Sequence, residues 1–502
     1  MHLGSPPSHH HPMRWCALTR ARTCAWAVRL AMHPHPHGSR RGMSTTTRAR
    51  AETSTTSTLS TSALATPPRS LPRGAYVHLP FCVRKCLYCD FAVTALGARG
   101  AAAVAPLSPG ALRGGNVSPS GRPPALTSYL ATLHSEIAAT AGPAPGDPPL
   151  ATLSFGGGTP SLLPPDDLAR LVEAVDKKWG LAHDAEISME ADPGTFDAPR
   201  LRSYITDARI TRISIGVQTF EDDLLRACGR SHDAGDVRAA LEAVAVARPH
   251  SWSLDLMSGL PGLNARAWAA TLRAALAACP DHISVYDLQV EPGTPFARLY
   301  TPGVAPLPSE GAAADQFESA GAILGDGGFQ RYEVSNFAAS PAHRSAHNAL
   351  YWRGDADWLA FGLGATSRLG GVRVARPRGV RDWTAWVGRL EEGGRGVPAA
   401  AFGPQSCPDL PPTRADLLTD IVMLRLRTAD GLDLVEVGRA FGKEAAAAVV
   451  RGLAPHAAAG RAVLRPGMPA TWRLTDPSGF VVSNSVIADV FAALEGVKCD
   501  AG

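Results

Sequence analysis

The segment Tyr76-Val-His-Leu-Pro-Phe-Cys82-Val-Arg-Lys-Cys86-Leu-Tyr-Cys89-Asp-Phe91 holds three of the chain's nine cysteines in the spacing C-x3-C-x2-C. Three thiolates on one short loop can converge on a metal centre. They fall one ligand short of a closed structural zinc site, which takes a fourth Cys or His. A 4Fe-4S cube, usually held by four Cys, suits them better, and three ligands keep one iron open to an outside molecule. The plain alternative is three buried thiols without metal. The other six, Cys16, Cys24, Cys228, Cys279, Cys407 and Cys499, are scattered, so no disulfide framework is expected.

The apolar run 75–79 just ahead of the cysteines reads as a strand, and it is the first of six. Runs at 152–155, 186–190, 212–217, 251–256 and 282–288 repeat it. Helical patterns lie between them at 126–140, 166–179, 235–247 and 265–278, the signature of βα units. The expected fold is α/β: a partial (β/α)6 barrel. Chemistry-bearing residues fall where each strand ends: the three cysteines, Gly156-Gly157-Gly158-Thr159-Pro160, Glu190, Gln218, Asp255 and Gln289. The C-terminal strand ends form the active-site face of such barrels. Each residue alone has an ordinary reading, as a helix cap or a turn. Their recurrence at the same end of every unit predicts one shared site.

The chain has 502 residues, 45% hydrophobic and 19% charged, which is globular composition with room for two or three domains. Residues 1–73 carry ten Arg, no Lys and one acid, Glu52, a net +9; the +4 total leaves −5 for residues 74–502. Basicity confined to one end excludes a nucleic-acid-gripping surface as the main function. An Arg-rich, Ser/Thr/Ala-rich, nearly acid-free start is composed like an organellar transit peptide, mitochondrial by its Arg content, with the chloroplast as the alternative; a plain disordered tail is the other reading. No stretch after residue 73 approaches the ~20 apolar residues of a membrane span. Residues 97–124, rich in Ala, Gly, Pro and Ser, read as a surface insertion. A Pro/Gly-rich stretch at 302–311 precedes a helical pattern, and a Gly/Arg-rich region at 370–396 precedes a small, mostly helical C-terminal domain over 396–502. The barrel and its extension take 74–395.

These motifs resemble the radical S-adenosylmethionine (SAM) superfamily, in the branch that contains oxygen-independent coproporphyrinogen III oxidase and the heme chaperone HemW. The resemblance rests on the cysteine segment and, in order, FGGGTPSLL (155–163), MEADPGT (189–195), ISIGVQTF (213–220), DLMSGLPG (255–262), YEVSNFA (332–338) and HNALYW (347–352). It implies a 4Fe-4S cluster on Cys82, Cys86 and Cys89, with SAM on the open iron. It further implies a SAM site formed by Tyr76, Tyr88, Gly157, Gly158, Thr159, Glu190, Gln218, Arg230, Asp255 and Gln289. Gly157 and Gly158 would let a backbone carbonyl approach the methionine ammonium. Glu190 and Asp255 would accept from ribose hydroxyls or the ammonium, Gln218 would bond either way, and Arg230 would grip the carboxylate. Tyr76 and Tyr88 would flank SAM, with Gln289 near the adenine.

The two activities of the branch divide on small features. The decarboxylase pattern usually has a fourth Cys two places after the third, where this chain has Phe91. His347 opens the branch's HNxxYW motif, which the resemblance links to heme; His is a common axial ligand, and aromatics pack a macrocycle. An isolated His is otherwise more often structural, and Cys228 or another His is the fallback ligand. Relatives often carry His where Thr366 stands. The leading expectation is therefore a heme chaperone that takes an electron from a one-electron reductant and passes heme to acceptor hemoproteins, with SAM cleavage within its chemistry. Oxidative decarboxylation of coproporphyrinogen III is second, and a binding protein without radical turnover is third.

Overall fold

The computed structural model describes residues 71–105, 123–393 and 412–499. β1 (Pro72–Leu79) leads into a short parallel pair, β2 (Phe81–Cys82) with β3 (Thr94–Ala95). β4 (Leu150–Gly157), β5 (Leu181–Ala191), β6 (Arg212–Gln218), β7 (Ser251–Ser258) and β8 (His282–Asp287) follow, so β1 and β4 to β8 are the six expected strands. β9 (Gln330–Arg331), β10 (Asn336–Ala338), β11 (Asp357–Phe361), β12 (Thr366–Leu369) and β13 (Val372–Ala375) extend them into one sheet, ordered β13-β12-β11-β1-β4-β5-β6-β7-β8-β10-β9. β11 departs from the six-unit expectation. It returns to pair in parallel with β1, making seven adjacent strands that run the same way. Among the described residues no pairing joins β13 to β9, so the barrel is partial.

The wall has two chemically different faces because side chains alternate along a strand. On β5, Ala185, Ile187, Met189 and Ala191 are buried, whereas Glu186, Ser188 and Glu190 alternate with them. On β6, Ile213, Ile215 and Val217 enter the main apolar core, out of phase with Arg212, Ser214 and Gly216. The same phase holds for Leu254 and Leu256 of β7 and for Ile283 and Val285 of β8. One face therefore packs on helices, and the other is polar.

The helix Pro165–Trp179 illustrates the outer layer. Leu168, Leu171, Val172, Val175 and Trp179 fall at helical spacing and are buried. Asp166 and Asp167 stand in its first turn and Lys177 and Lys178 in its last, each complementing the helix dipole. Gly180, at φ +71°, ends it.

Several expectations are modified. β1 begins at Pro72, so the last residues of the expected 1–73 presequence belong to the sheet; residues 1–70 lie outside the described residues. Of the expected insertion, Gly97–Ala102 is helical, the next helix begins at Pro124, and residues 106–122 are outside the described residues. The Gly/Arg-rich region contains β13 and a helix, Val380–Glu392, that buries Trp383 and Trp386. The expected boundary near 396 also lies outside the described residues. Beyond it, helices Arg414–Arg425, Leu434–Phe441, Lys443–Ala458 and Ser483–Leu494 accompany a small antiparallel sheet, β14 (Leu432–Asp433), β15 (Ala462–Arg465) and β16 (Met468–Leu474), ordered β14-β16-β15. These elements share a second apolar core, which also takes in Val334 and Trp352 from the barrel side. Among the described residues no helix is long and apolar enough to cross a membrane.

Candidate functional site

The polar face opens at the C-terminal ends of the strands into a cavity of about 260 Å³. Every residue expected at the cluster and SAM positions lines it: Cys82, Cys86 and Cys89, together with Tyr76, Tyr88, Gly157, Gly158, Thr159, Glu190, Gln218, Arg230, Asp255 and Gln289. Phe91 lines it too, at the place where the decarboxylase pattern carries its fourth Cys. His347 does not, and Thr366 does not.

The cysteine loop is held from below by the glycine run. Gly158 N–H donates to Leu79 O at 2.8 Å, and Thr159 N–H donates to Phe81 O at 2.7 Å. A Cβ on Gly158 would fall 2.7 Å from Phe81 O, and one on Gly157, whose φ is +109°, would strike the His78 ring. One on Gly156 would fall 2.8 Å from Glu190 Oε1. The expected purpose of these glycines, ligand approach, is thus joined by a packing requirement: only bare backbone seats the cysteine loop on β4. The loop's other side is tied by Leu87 N–H to Cys228 O at 3.0 Å.

Burial pushes the Cys82 thiol up to about 12 and raises Cys89 as well. These thiols stay protonated at neutral pH until a metal replaces the proton. Among the described residues no three His, Cys, Asp or Glu side chains converge tightly enough for a single metal ion. All three thiols line one cavity, and three cysteine sulfurs are a donor set that would suit an iron-sulfur cluster.

Three acids line the same cavity. Glu190 accepts Gly157 N–H at 3.0 Å. Burial, with Asp255 nearby, lifts its carboxyl to about 7. Burial also raises Asp255, against the opposing bonds from Ser284 and Ser214; the Ser214 bond is 2.8 Å. Asp287 is lifted by burial to about 6 and takes bonds from Ser258 at 3.2 Å and Gln289 at 3.0 Å. Gln218 sits at φ +65°, where the β6 register slips against β7. A non-glycine residue in that region costs roughly 1–3 kcal/mol, and such strain clusters at functional sites.

Arg230 departs from its expected role as an open fork. Nη2 bonds to Asp192 and, at 2.8 Å, to Gly216 O. Nη1 lies 3.1 Å from Tyr88 OH and 3.5 Å from Cys86 Sγ. The bidentate face is already engaged. Asp192 is the main residue that sequence reading missed. Burial would raise its carboxyl, but Arg230 and His232 outweigh burial and hold it below the usual range. The remaining signal was its place two residues beyond Glu190 at the same strand end. His78 was missed as well; it bonds Tyr76 OH at 3.1 Å and Ala92 O at 2.9 Å.

His347 lies at the other end of the polar face. Its Nδ1 is 2.8 Å from Thr152 Oγ1 and its Nε2 is 2.8 Å from Tyr351 OH. Burial drops the imidazole to about 3, so it is neutral. Its helix, Ala346–Arg353, has its N-terminal N–H groups on Glu186: Ala346 at 3.1 Å and His347 at 2.9 Å. Arg212 of β6 bonds Ser251 at 3.2 Å, and His282 of β8 bonds Ser253 at 2.8 Å and Tyr332 at 2.9 Å. The expected heme ligand is thus part of a hydrogen-bonded plug, with both ring nitrogens occupied. Iron ligation would require the ring to release one of them.

A profile described as the radical SAM superfamily matches residues 76–275. A Synechocystis protein named heme chaperone HemW is 35% identical over 437 residues, 85% of this chain and 98% of that protein. A mouse protein named radical S-adenosyl methionine domain-containing protein 1, mitochondrial, is 32% identical, over 71% of this chain and 73% of its own. The solved structure of Escherichia coli coproporphyrinogen III oxidase, HemN, described as a radical SAM enzyme, has the same fold at TM-score 0.64 and 23% identity, covering 85% of this chain and 91% of its own. With the profile spanning the cysteine loop and most of the strands that build the cavity, and nearly all of a HemW relative matched at this identity, the chain belongs to the radical SAM superfamily and, within it, to the HemW/HemN-like family.

Proposed function

We propose that this chain is a heme chaperone that holds a 4Fe-4S cluster on Cys82, Cys86 and Cys89, binds SAM beside it, and passes heme to acceptor hemoproteins. The observation that carries the reading is the single cavity in which the three thiols meet Glu190, Asp255, Gln218 and Arg230, with Phe91 where the decarboxylase has a cysteine. When bound, such a cluster supplies the electron that cleaves the SAM sulfonium. The residues of this chain bind and orient: Glu190 gives up its proton to meet the ammonium, and Asp255 accepts from the ribose. Tyr76, Tyr88 and Gln289 flank the ligand, while Arg230 adds positive charge toward its carboxylate. The segment ahead of β1 serves as an organellar address, a reading supported by the mitochondrial proteins among the relatives. Residues 74–395 and 396–502 form the two domains.

Anaerobic reconstitution tests this. The chain should take up iron and sulfide, turn brown and, on dithionite reduction with SAM, yield 5′-deoxyadenosine. Added heme should bind stoichiometrically with a Soret shift and transfer to an apo-hemoprotein. Absence of stoichiometric heme binding sinks the chaperone reading, and SAM-dependent conversion of coproporphyrinogen III to protoporphyrinogen IX replaces it with the decarboxylase.

A further inference from the structure

Arg230 is held with more apparatus than a ligand-gripping arginine needs. Asp192, which takes its Nη2, accepts a bond from Ser231 Oγ at 3.3 Å, and His232 Nδ1 lies 3.2 Å from it. The backbone at Asp192 is also fixed: its N–H donates to Ser161 Oγ at 3.1 Å, and its carbonyl accepts from Thr195 Oγ1 at 2.7 Å. The segment that carries Arg230 is docked on the cysteine loop through Cys228 O and Leu87 N–H. A Cβ on Gly229, at φ +72°, would lie 3.0 Å from Leu87 Cγ, so the approach is as close as backbone allows. The result is one guanidinium N–H 3.5 Å from Cys86 Sγ.

We infer that Asp192 is a positioning residue that aims Arg230 at Cys86 as an N–H···S donor, and so sets how readily a cluster on that cysteine accepts an electron. This rests on the reading of Cys86 as a cluster ligand. Hydrogen bonds to ligand sulfur and nearby positive charge favour the reduced, more negative cluster, and such outer partners tune metal centres strongly. Asp192 acts in two opposed ways: its own charge disfavours reduction, while its grip keeps the N–H in place. Only the second acts through Arg230.

A double-mutant cycle separates them, read as the cluster midpoint potential by EPR-monitored titration of SAM-free protein. Arg230→Gln should lower the reduced-to-oxidised ratio at fixed poise about tenfold, equivalent to about 59 mV for one electron. Asp192→Asn should shift the potential by one amount in the wild-type chain and by another in the chain that already carries Arg230→Gln, because grip is lost only in the first. Equal shifts in both backgrounds would overturn the role. If Asp192→Asn does not retain the cluster, Ser231→Ala and His232→Gln, which loosen Asp192, carry the same cycle. A wild-type chain that assembles no cluster defeats the cysteine assignment itself, whereas a cluster with additive shifts defeats only Asp192.

Discussion

The two ends of the barrel's polar face use the same residue types to opposite effect. At the C-terminal end, Glu190, Asp255 and Asp287 line the cavity with raised proton affinity, facing open volume. At the N-terminal end, Glu186, Thr152, His347 and Tyr351 are bonded to one another. Gly157 and Thr152, one marking each end, are five residues apart on β4, about 16 Å at strand rise. The upper acids take bonds from Gly157, Ser214, Ser258 and Gln289 and still line open volume, whereas the lower groups spend theirs on one another. The difference fits the upper end to the proposed binding site and the lower end to a latch.

Substitutions should therefore divide by end. The largest effect is at the top: Cys86→Ala should abolish the visible absorbance of the reconstituted cluster while leaving the apo-protein's thermal melt nearly unchanged. Retained absorbance would break the assignment. His347→Ala should do the reverse, costing about 3 kcal/mol in urea unfolding because the Thr152 and Tyr351 hydroxyls lose their buried partner. Unchanged stability together with a lost heme Soret shift would make His347 a ligand and not a latch.

A pH series sharpens the upper end. Glu190 titrates near 7 in the folded apo-chain against about 4.5 unfolded, so between those values the native state binds more protons. Stability should fall as pH rises through that window, and Glu190→Gln should remove its share of the slope. Glu333 and Asp287, also raised by burial, slope the same way, so the measurement is the difference between wild type and variant. A parallel fall in both would exclude Glu190 as its source. The smallest effect is Glu186→Gln, which keeps one acceptor for the plug helix and should cost about 1 kcal/mol; a loss as large as that of His347→Ala would place the latch on the carboxylate charge.

The upper site was legible in the sequence because its residues recur at one position of a repeated βα unit, so Glu190, Gln218 and Asp255 are found by counting strands. Asp192 escaped because an acid just past a strand end reads as a turn residue, and only its contact with Arg230 gives it a role. The plug escaped for a different reason: His347 and Thr152 are 195 positions apart, and hydrogen bonds across such a gap leave no local pattern. β11 is a five-residue strand with four apolar residues in a row that could equally be core helix, and β14 and β15 are too short to show alternation. The helix Val380–Glu392 was hidden by the glycines and arginines around it.

The pairing of β11 with β1 also orders events during synthesis. The strand that leads into the cysteine loop is among the first parts of the barrel to emerge, yet one of its edges stays uncovered until residues 357–361 appear. An open strand edge invites wrong pairing, and contacts this distant in sequence form slowly. The cysteines thus spend most of the barrel's translation on an unfinished wall. A cluster on these cysteines would find its wall complete only after β11 has paired with β1, so a loaded centre would report that this part of the barrel has been made.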